Sequence, residues 1–248
     1  MTDLDRTGDA SVARRLPGDP YPDLMCARIV HRAWRTDLGR LADLATTLAE
    51  DVARAAPGDA VITRRRAGAV RGYVTVLCHE LAQQGRGEAR IVWPLVGASA
   101  GAAIDMDPYR AERRRLAPLV EHLRMTVDDF ARTPTAHAAG LAVALRETRD
   151  AMDEHFRYLE QDILPMIRNY VTMDDYAVAE RRMWRSLGPA RLARMLPWLA
   201  RVATPEEQRH LKRRNGLAGR VILAVLGPVY ASLERRVFGH PAPGLVSG

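Results

Sequence analysis

Residues 137–167 read HAAGLAVALRETRDAMDEHFRYLEQDILPMI, and the spacing of apolar side chains in this stretch decides the fold class. Apolar residues recur every three or four positions, which is the period of one face of an α-helix. The stripe consists of Leu141, Leu145, Thr148, Met152, His155, Leu159, Ile163 and Met166. A histidine therefore falls on the inward face of a long helix, and Glu160 borders that face.

Three earlier segments show the same period, and no segment alternates in the manner of a strand. They span about 22–50, 63–95 and 108–130. Four amphipathic helices with short links predict an all-α fold, an up-down-up-down four-helix bundle over residues 23–168. We expect the glycine-rich residues 97–103 to form a flexible connection between the second and third helices.

Polar residues fall on or beside the apolar stripes of all four predicted helices. They are His31, Gln84, Glu88, Arg113, His155 and Glu160. Buried polar groups cost free energy unless they are paired or bind a metal, and facing helices of a bundle are a common place for such sites. The sequence therefore predicts a site inside the bundle. Gly85 and Gly87 weaken the second helix and favour a break or bulge between Gln84 and Glu88.

The two ends of the chain differ from this bundle in character. Residues 1–22 are polar and aperiodic, which predicts a disordered tail. Residues 169–248 are predicted to form a helical extension packed on the bundle. A helix should start at Thr204, because threonine, proline and glutamate stand at its N-cap, first and third positions.

Residues 217–237 are apolar and then basic, and Gly227 and Pro228 are expected to interrupt them. Three roles are open for this segment. It can pack on the bundle, pair with another subunit as a homo-oligomer, or contact a membrane surface. No run of 18 apolar residues occurs, so no transmembrane segment is predicted.

The charge and cysteine content of the chain limit the classes of function that we expect. The net charge is +7, and Lys212 is the only lysine among 37 basic residues. The arginines are spread over every helix without interleaved aromatic residues, so we predict no nucleic-acid binding. Two cysteines, Cys26 and Cys78, stand in apolar surroundings without metal-finger spacing, which is typical of buried free thiols in a reducing compartment. We expect a cytoplasmic protein.

The order of the polar residues resembles a hemerythrin-like protein of the HHE cation-binding type, in its longer actinobacterial form. The most specific segments are Val30-His31-Arg32, residues 88–95 and residues 155–167, and the resemblance covers roughly residues 24–238. It implies a four-helix bundle with a bridged di-iron centre that binds or responds to oxygen, peroxide or nitric oxide. The alternative to a di-iron centre is a single metal held by His31, Glu88, His155 and Glu160.

The chain departs from the family at its metal ligands. Members carry histidine four residues before the carboxylate that matches Glu88, whereas this chain has Gln84. They commonly carry histidine where this chain has Arg113, whose guanidinium has no lone pair to give a metal. The leading expectation is therefore a bundle without a cofactor, because the ligand set is degenerate.

Three functions follow as hypotheses. In the first, the pocket binds a small organic molecule and can transform it by acid/base chemistry, with His31, Glu88, Arg113, His155 and Glu160 as site residues. Such a role would suit a biosynthetic protein. In the second, the protein holds non-haem iron and senses or binds oxygen, peroxide or nitric oxide. In the third, it is a metal-free, non-catalytic binding or regulatory protein that uses its C-terminal helices for partner contact.

Overall fold

The computed structural model describes residues 13–56, 59, 61–101 and 104–239, and 86% of these described residues are helical. The helices are α1 (Met25–Arg54), α2 (Arg64–Gly87), α3 (Trp93–Ala100), α4 (Asp107–Arg132), α5 (Pro134–Tyr158), α6 (Leu164–Tyr170), α7 (Met173–Ser186), α8 (Pro189–Ala200) and α9 (Pro205–Phe238). No strand occurs in the described part of the chain, so the all-α prediction is confirmed.

A widened π-helical turn joins two pairs of consecutive helices. Glu88–Val92 joins α2 to α3, and Leu159–Ile163 joins α5 to α6. Each turn comes directly before a helix with proline in its first turn, Pro94 in α3 and Pro165 in α6. Proline lacks the N–H of an α-helical turn and clashes with the carbonyl four residues earlier, and a wider turn accommodates both defects.

The prolines, and not the glycines, therefore set the irregularity in the second helix. The break predicted between Gln84 and Glu88 lies instead at Glu88–Val92, and Gly85 and Gly87 remain α-helical. The flexible connection predicted from residue 97 is also wrong in its first half, because α3 continues to Ala100. Gly101, with a φ of 58°, then ends the helix, and residues 102–103 lie outside the described residues.

Helices α1, α2, α4 and α5 pack side by side. Helix α5 contacts both α1 and α4, and α4 contacts α2. The largest fully buried side chains along these contacts are Phe130, Phe156, Ile29, Leu38, Leu41, Leu123, Leu141 and Leu145. The apolar stripes read from the sequence therefore form the core.

The C-terminal helices α8 and α9 pack on α1 and α2. Helix α9 contacts α8, α1 and α2. The predicted start of α9 is confirmed, because the Thr204 hydroxyl accepts a hydrogen bond from Glu207 N while the Glu207 carboxylate accepts one from Thr204 N. Gly216, with a φ of 56°, kinks the helix. The interruption predicted at Gly227 and Pro228 is wrong. The helix passes through both residues, and Pro228 faces solvent, where water can satisfy the carbonyl that loses its partner.

A buried ionic network attaches this extension to α1. Arg201 Nη2 lies 2.6 Å from Asp37 Oδ1, and Arg201 Nη1 lies 2.5 Å from Glu234 Oε1. Trp198 Nε1 donates to Asp37 Oδ2 at 2.7 Å, and Arg40 Nη1 donates to Glu234 Oε1 at 2.6 Å. Two carboxylates and two guanidiniums balance in charge, which makes their burial tolerable. This network was not predicted from the sequence.

Residues 13–22 belong to the segment predicted as a disordered tail, of which residues 1–12 lie outside the described residues. The described part lies against the end of α6. Arg15 N donates to Tyr170 O at 2.9 Å, and the Tyr21 ring lies under the guanidiniums of Arg15 and Arg168.

Candidate functional site

His31, which is buried, and Glu160, which is one-third exposed, form a pair between α1 and the second π-helical turn. His31 Nδ1 lies 3.1 Å from Glu160 Oε1, and Arg35 Nη1 donates to the same oxygen at 2.7 Å. The hydrogen bond from His31, followed by that from Arg35, lowers the pKa of Glu160 from 4.5 to about 2. An ionised carboxylate at this position favours the His31 tautomer that carries its proton on Nδ1.

Glu88 forms a second cluster at the first π-helical turn. Trp34 Nε1 donates to Gln84 Oε1 at 2.5 Å, and Gln84 Nε2 donates to Glu88 Oε1 at 3.0 Å. The other carboxylate oxygen lies 3.4 Å from Arg113 Nη1. Gln84 is thus oriented by an indole N–H, so that its amide stabilises the Glu88 carboxylate.

Arg113 reaches this cluster because Gly85 has no side chain. A Cβ atom built on Gly85 would lie 1.5 Å from Arg113 Nη2. The guanidinium is half-buried there, and its burial lowers the pKa of Arg113, while Glu88 counteracts that effect.

His155 is buried apart from both clusters. Its Nδ1 lies 3.2 Å from Glu112 Oε1, but that approach lacks hydrogen-bond geometry, and Nδ1 has no hydrogen-bond partner. The ring of Phe156 stacks on His31 at 5.0 Å and lies 5.7 Å from His155 between ring centres. This phenyl ring adjoins both imidazoles.

Two cavities meet at Gln84 and Glu88, which line both. The apolar cavity has a volume of about 140 Å³ and lies among α1, α2, α6 and α7. Its apolar lining includes Val30, Trp34, Trp93, Ile163, Tyr176 and Trp184. The Arg113 cavity has a volume of about 480 Å³ and is lined by Arg113, His155, Met152 and Phe156 among others.

The charged groups of the apolar cavity are mainly acidic. Glu80, Glu88 and Glu180 line it together with His31. The arginines that pair with these glutamates do not line it: Arg191 binds Glu80, Arg113 binds Glu88 and Arg214 binds Glu180 from outside. The cavity therefore presents carboxylates on an aromatic wall.

Cys26 also lines the apolar cavity, and it is a buried free thiol like Cys78. Burial raises the pKa of each thiol to about 12. Because the thiolate is the reactive form, neither cysteine is a nucleophile at neutral pH.

The structure divides the predicted site residues into three groups. His31 pairs with Glu160, Glu88 pairs with Arg113, and His155 lies beside Glu112. Within residues 13–239 as far as they are described, no three His, Cys, Asp or Glu side chains converge as a metal-binding group.

Three neighbours of the site residues were not predicted from the sequence: Trp34 as donor to Gln84, Arg35 as partner of Glu160, and Glu112 beside His155. Trp34 shares the helical spacing of Leu38 and Leu41 in the sequence, and the need of a buried indole N–H for an acceptor was the signal that could have linked it to Gln84. No protein-family model, curated protein or solved structure matches the chain.

Proposed function

We propose that the protein binds a small organic molecule in the apolar cavity. The observation that carries this proposal is the cavity itself, about 140 Å³ and lined by three tryptophans, with a few polar groups from α1, α2 and α7. Apolar cavities of roughly 150 Å³ hold a molecule such as benzene. An apolar pocket with a few convergent polar groups is the usual form of a small-molecule site.

The charge of the lining selects the ligand class. Glu80, Glu88 and Glu180 line the cavity, and His31 is the one side chain in its described lining that can carry a positive charge. A carboxylate on the ligand would be repelled, whereas an ammonium group can pair with Glu88 and lie over an indole face. The ligand class we infer is an amine with one ring or an equivalent aliphatic body.

His31 is the residue that would carry out acid/base chemistry on this ligand. Because Glu160 holds the proton of Nδ1, the lone pair of Nε2 is available to accept a proton from a bound molecule. Glu160 stays ionised while this happens, since its pKa lies at about 2. His31 is therefore the candidate base, and Glu160 is the residue that positions it.

The framework for this site is, in our proposal, a hemerythrin-like up-down-up-down bundle whose metal ligands have been replaced. Arg113 supports it, because its guanidinium lies 3.4 Å from Glu88 and supplies positive charge where the resembling family has a metal ligand. Arginine cannot donate a lone pair to a metal. The residues around Glu88 thus do not fit a di-iron centre, and we derive no step through one.

Calorimetry and tryptophan fluorescence with benzylamine, benzyl alcohol and benzoate test the proposal. We expect benzylamine to bind most tightly and benzoate to show no binding. Ala27→Leu, which extends a side chain into the cavity lining, should abolish binding, while Ala53→Leu at an exposed position of the same helix should not. Absence of binding by all three compounds, or equal binding by the two leucine variants, would overturn the assignment.

A further inference from the structure

The last part of α9 carries an apolar face that points into solvent. Leu217, Val221, Val225 and Val229 are exposed by 76%, 54%, 60% and 59%. They are four residues apart, so they share one side of the helix after the kink at Gly216. We call these four side chains the outer face of α9. By length and composition, α9 is also the one described helix that qualifies as a candidate membrane span.

Basic residues lie before, within and after the stretch that carries the outer face. They are Lys212, Arg213, Arg220, Arg235 and Arg236, all exposed. None of the five forms an ion pair with a carboxylate in the described part of the chain. Aliphatic side chains with unpaired arginines at their borders are the pattern of a helix that lies at a lipid interface.

We propose that the outer face of α9 binds the surface of an anionic lipid bilayer, with the helix lying parallel to the membrane plane. The aliphatic side chains would enter the acyl boundary, and the flanking arginines would pair with anionic headgroups. This proposal is independent of the ligand in the apolar cavity.

Charge argues against a second copy of the chain as the occupant. The protein carries a net charge of +7, and the arginines beside the outer face would meet like charges across a two-fold interface. Four aliphatic side chains also offer much less surface than the roughly 800 Å² that each partner buries in a stable interface.

The opposite side of α9 argues against a membrane span. Ala231, Glu234 and Val237 are buried against the rest of the protein, and Glu234 is fully buried next to Arg201. A spanning helix would have to leave this network and carry Glu234 into lipid. Binding at the surface requires no such rearrangement.

Co-sedimentation of the full chain with vesicles provides the test. We expect binding to vesicles of phosphatidylcholine mixed with phosphatidylglycerol, little binding to pure phosphatidylcholine, and release at high salt. The double variant Val221→Asn/Val225→Asn should bind about tenfold or more weakly. Its matched control is Val76→Asn/Val143→Asn, at exposed valines of α2 and α5.

A second pair of variants tests how much the arginines beside the outer face contribute to vesicle binding. Arg235→Gln/Arg236→Gln should weaken binding by about tenfold or more, whereas Arg64→Gln/Arg65→Gln, exposed neighbours on α2, should change it much less. Circular dichroism confirms that each variant keeps its helix content.

Three outcomes overturn the proposal. The first is no binding to anionic vesicles. The second is a concentration-dependent dimer that Val221→Asn/Val225→Asn dissolves, with no vesicle binding, which would assign the outer face to a second copy. The third is binding that resists a high-salt, alkaline wash, which would make α9 a membrane span.

Discussion

The guanidinium of Arg113 occupies the space beside Gly85, since a Cβ atom at that glycine would lie 1.5 Å from Nη2. Replacing a helical glycine by alanine normally stabilises a helix by up to about 1 kcal/mol. We expect this gain for Gly72→Ala, where nothing lies within 4 Å of the added atom. Gly85→Ala should instead leave the free energy of unfolding unchanged or lower it, because Arg113 must leave Glu88.

A double variant separates the two contributions. In an Arg113→Ala background the space beside residue 85 is free, so Gly85→Ala should then give the same gain as Gly72→Ala. Urea unfolding of wild type, Gly72→Ala, Gly85→Ala, Arg113→Ala and the double variant Gly85→Ala/Arg113→Ala measures these differences. If Gly85→Ala stabilised the wild-type chain as much as Gly72→Ala does, Arg113 would not pack where the structure has it.

The pairing of His31 with Glu160 predicts a dependence of stability on pH. The pKa of Glu160 is about 2 in the folded protein against an ordinary value of 4.5. A lowered pKa contributes stability above pH 4.5, and that contribution is lost as the pH falls from about 4.5 to about 2. Because Glu160 is one-third exposed, we expect a contribution on the order of 1–2 kcal/mol.

Glu160→Gln removes this contribution. The variant should be less stable than wild type at pH 7, and the two proteins should converge as the pH approaches 2. Glu50→Gln, at an exposed position on α1, serves as the control and should track wild type throughout. A stability difference between wild type and Glu160→Gln that stays constant across the acid range would contradict the lowered pKa of Glu160.

The buried network around Arg201 predicts a large loss of stability. Arg201→Met leaves Asp37 and Glu234 without their shared guanidinium, and breaking a buried ion pair from one side costs about 3–5 kcal/mol. Arg194→Met, at an exposed position of the same helix α8, should change stability by about 0.5 kcal/mol or less. Equal unfolding curves for the two variants would show that α8 and α9 are held by other contacts.

The sequence predicted helices and buried positions well. It predicted much less well which side chains contact each other. The stripes of α1 and α5 placed His31 and His155 in the core, and both are buried. Which carboxylate each imidazole contacts depends on helix rotation, and that rotation changes at the π-helical turn that carries Glu160. A pattern of 3.6-residue period assumes regular helices, so it could not reveal that His31 contacts Glu160 while His155 approaches Glu112.

The network of Asp37, Arg201 and Glu234 was missed for a related reason. Its members come from α1, α8 and α9, and each looks like an ordinary surface charge within its own segment. Charged side chains are almost never fully buried unless they are paired. Only the tertiary arrangement brings the pairs together, so one-dimensional periodicity gave no signal.

The last prediction concerns metal. In the proposed hemerythrin-like framework, Gln84 and Arg113 would stand where the family has histidines, and the positive guanidinium beside Glu88 repels a cation. Aerobic iron loading should therefore leave wild type with well under two irons per chain. Gln84→His/Arg113→His returns both imidazoles next to Glu88, so this variant should take up more iron and show an absorption band from oxygen-ligated iron. Gln83→His/Arg114→His adds two histidines at neighbouring positions and should bind iron no better than wild type. Two irons in the wild-type chain, or equal iron content in the two variants, would show that Gln84 and Arg113 do not occupy former ligand positions.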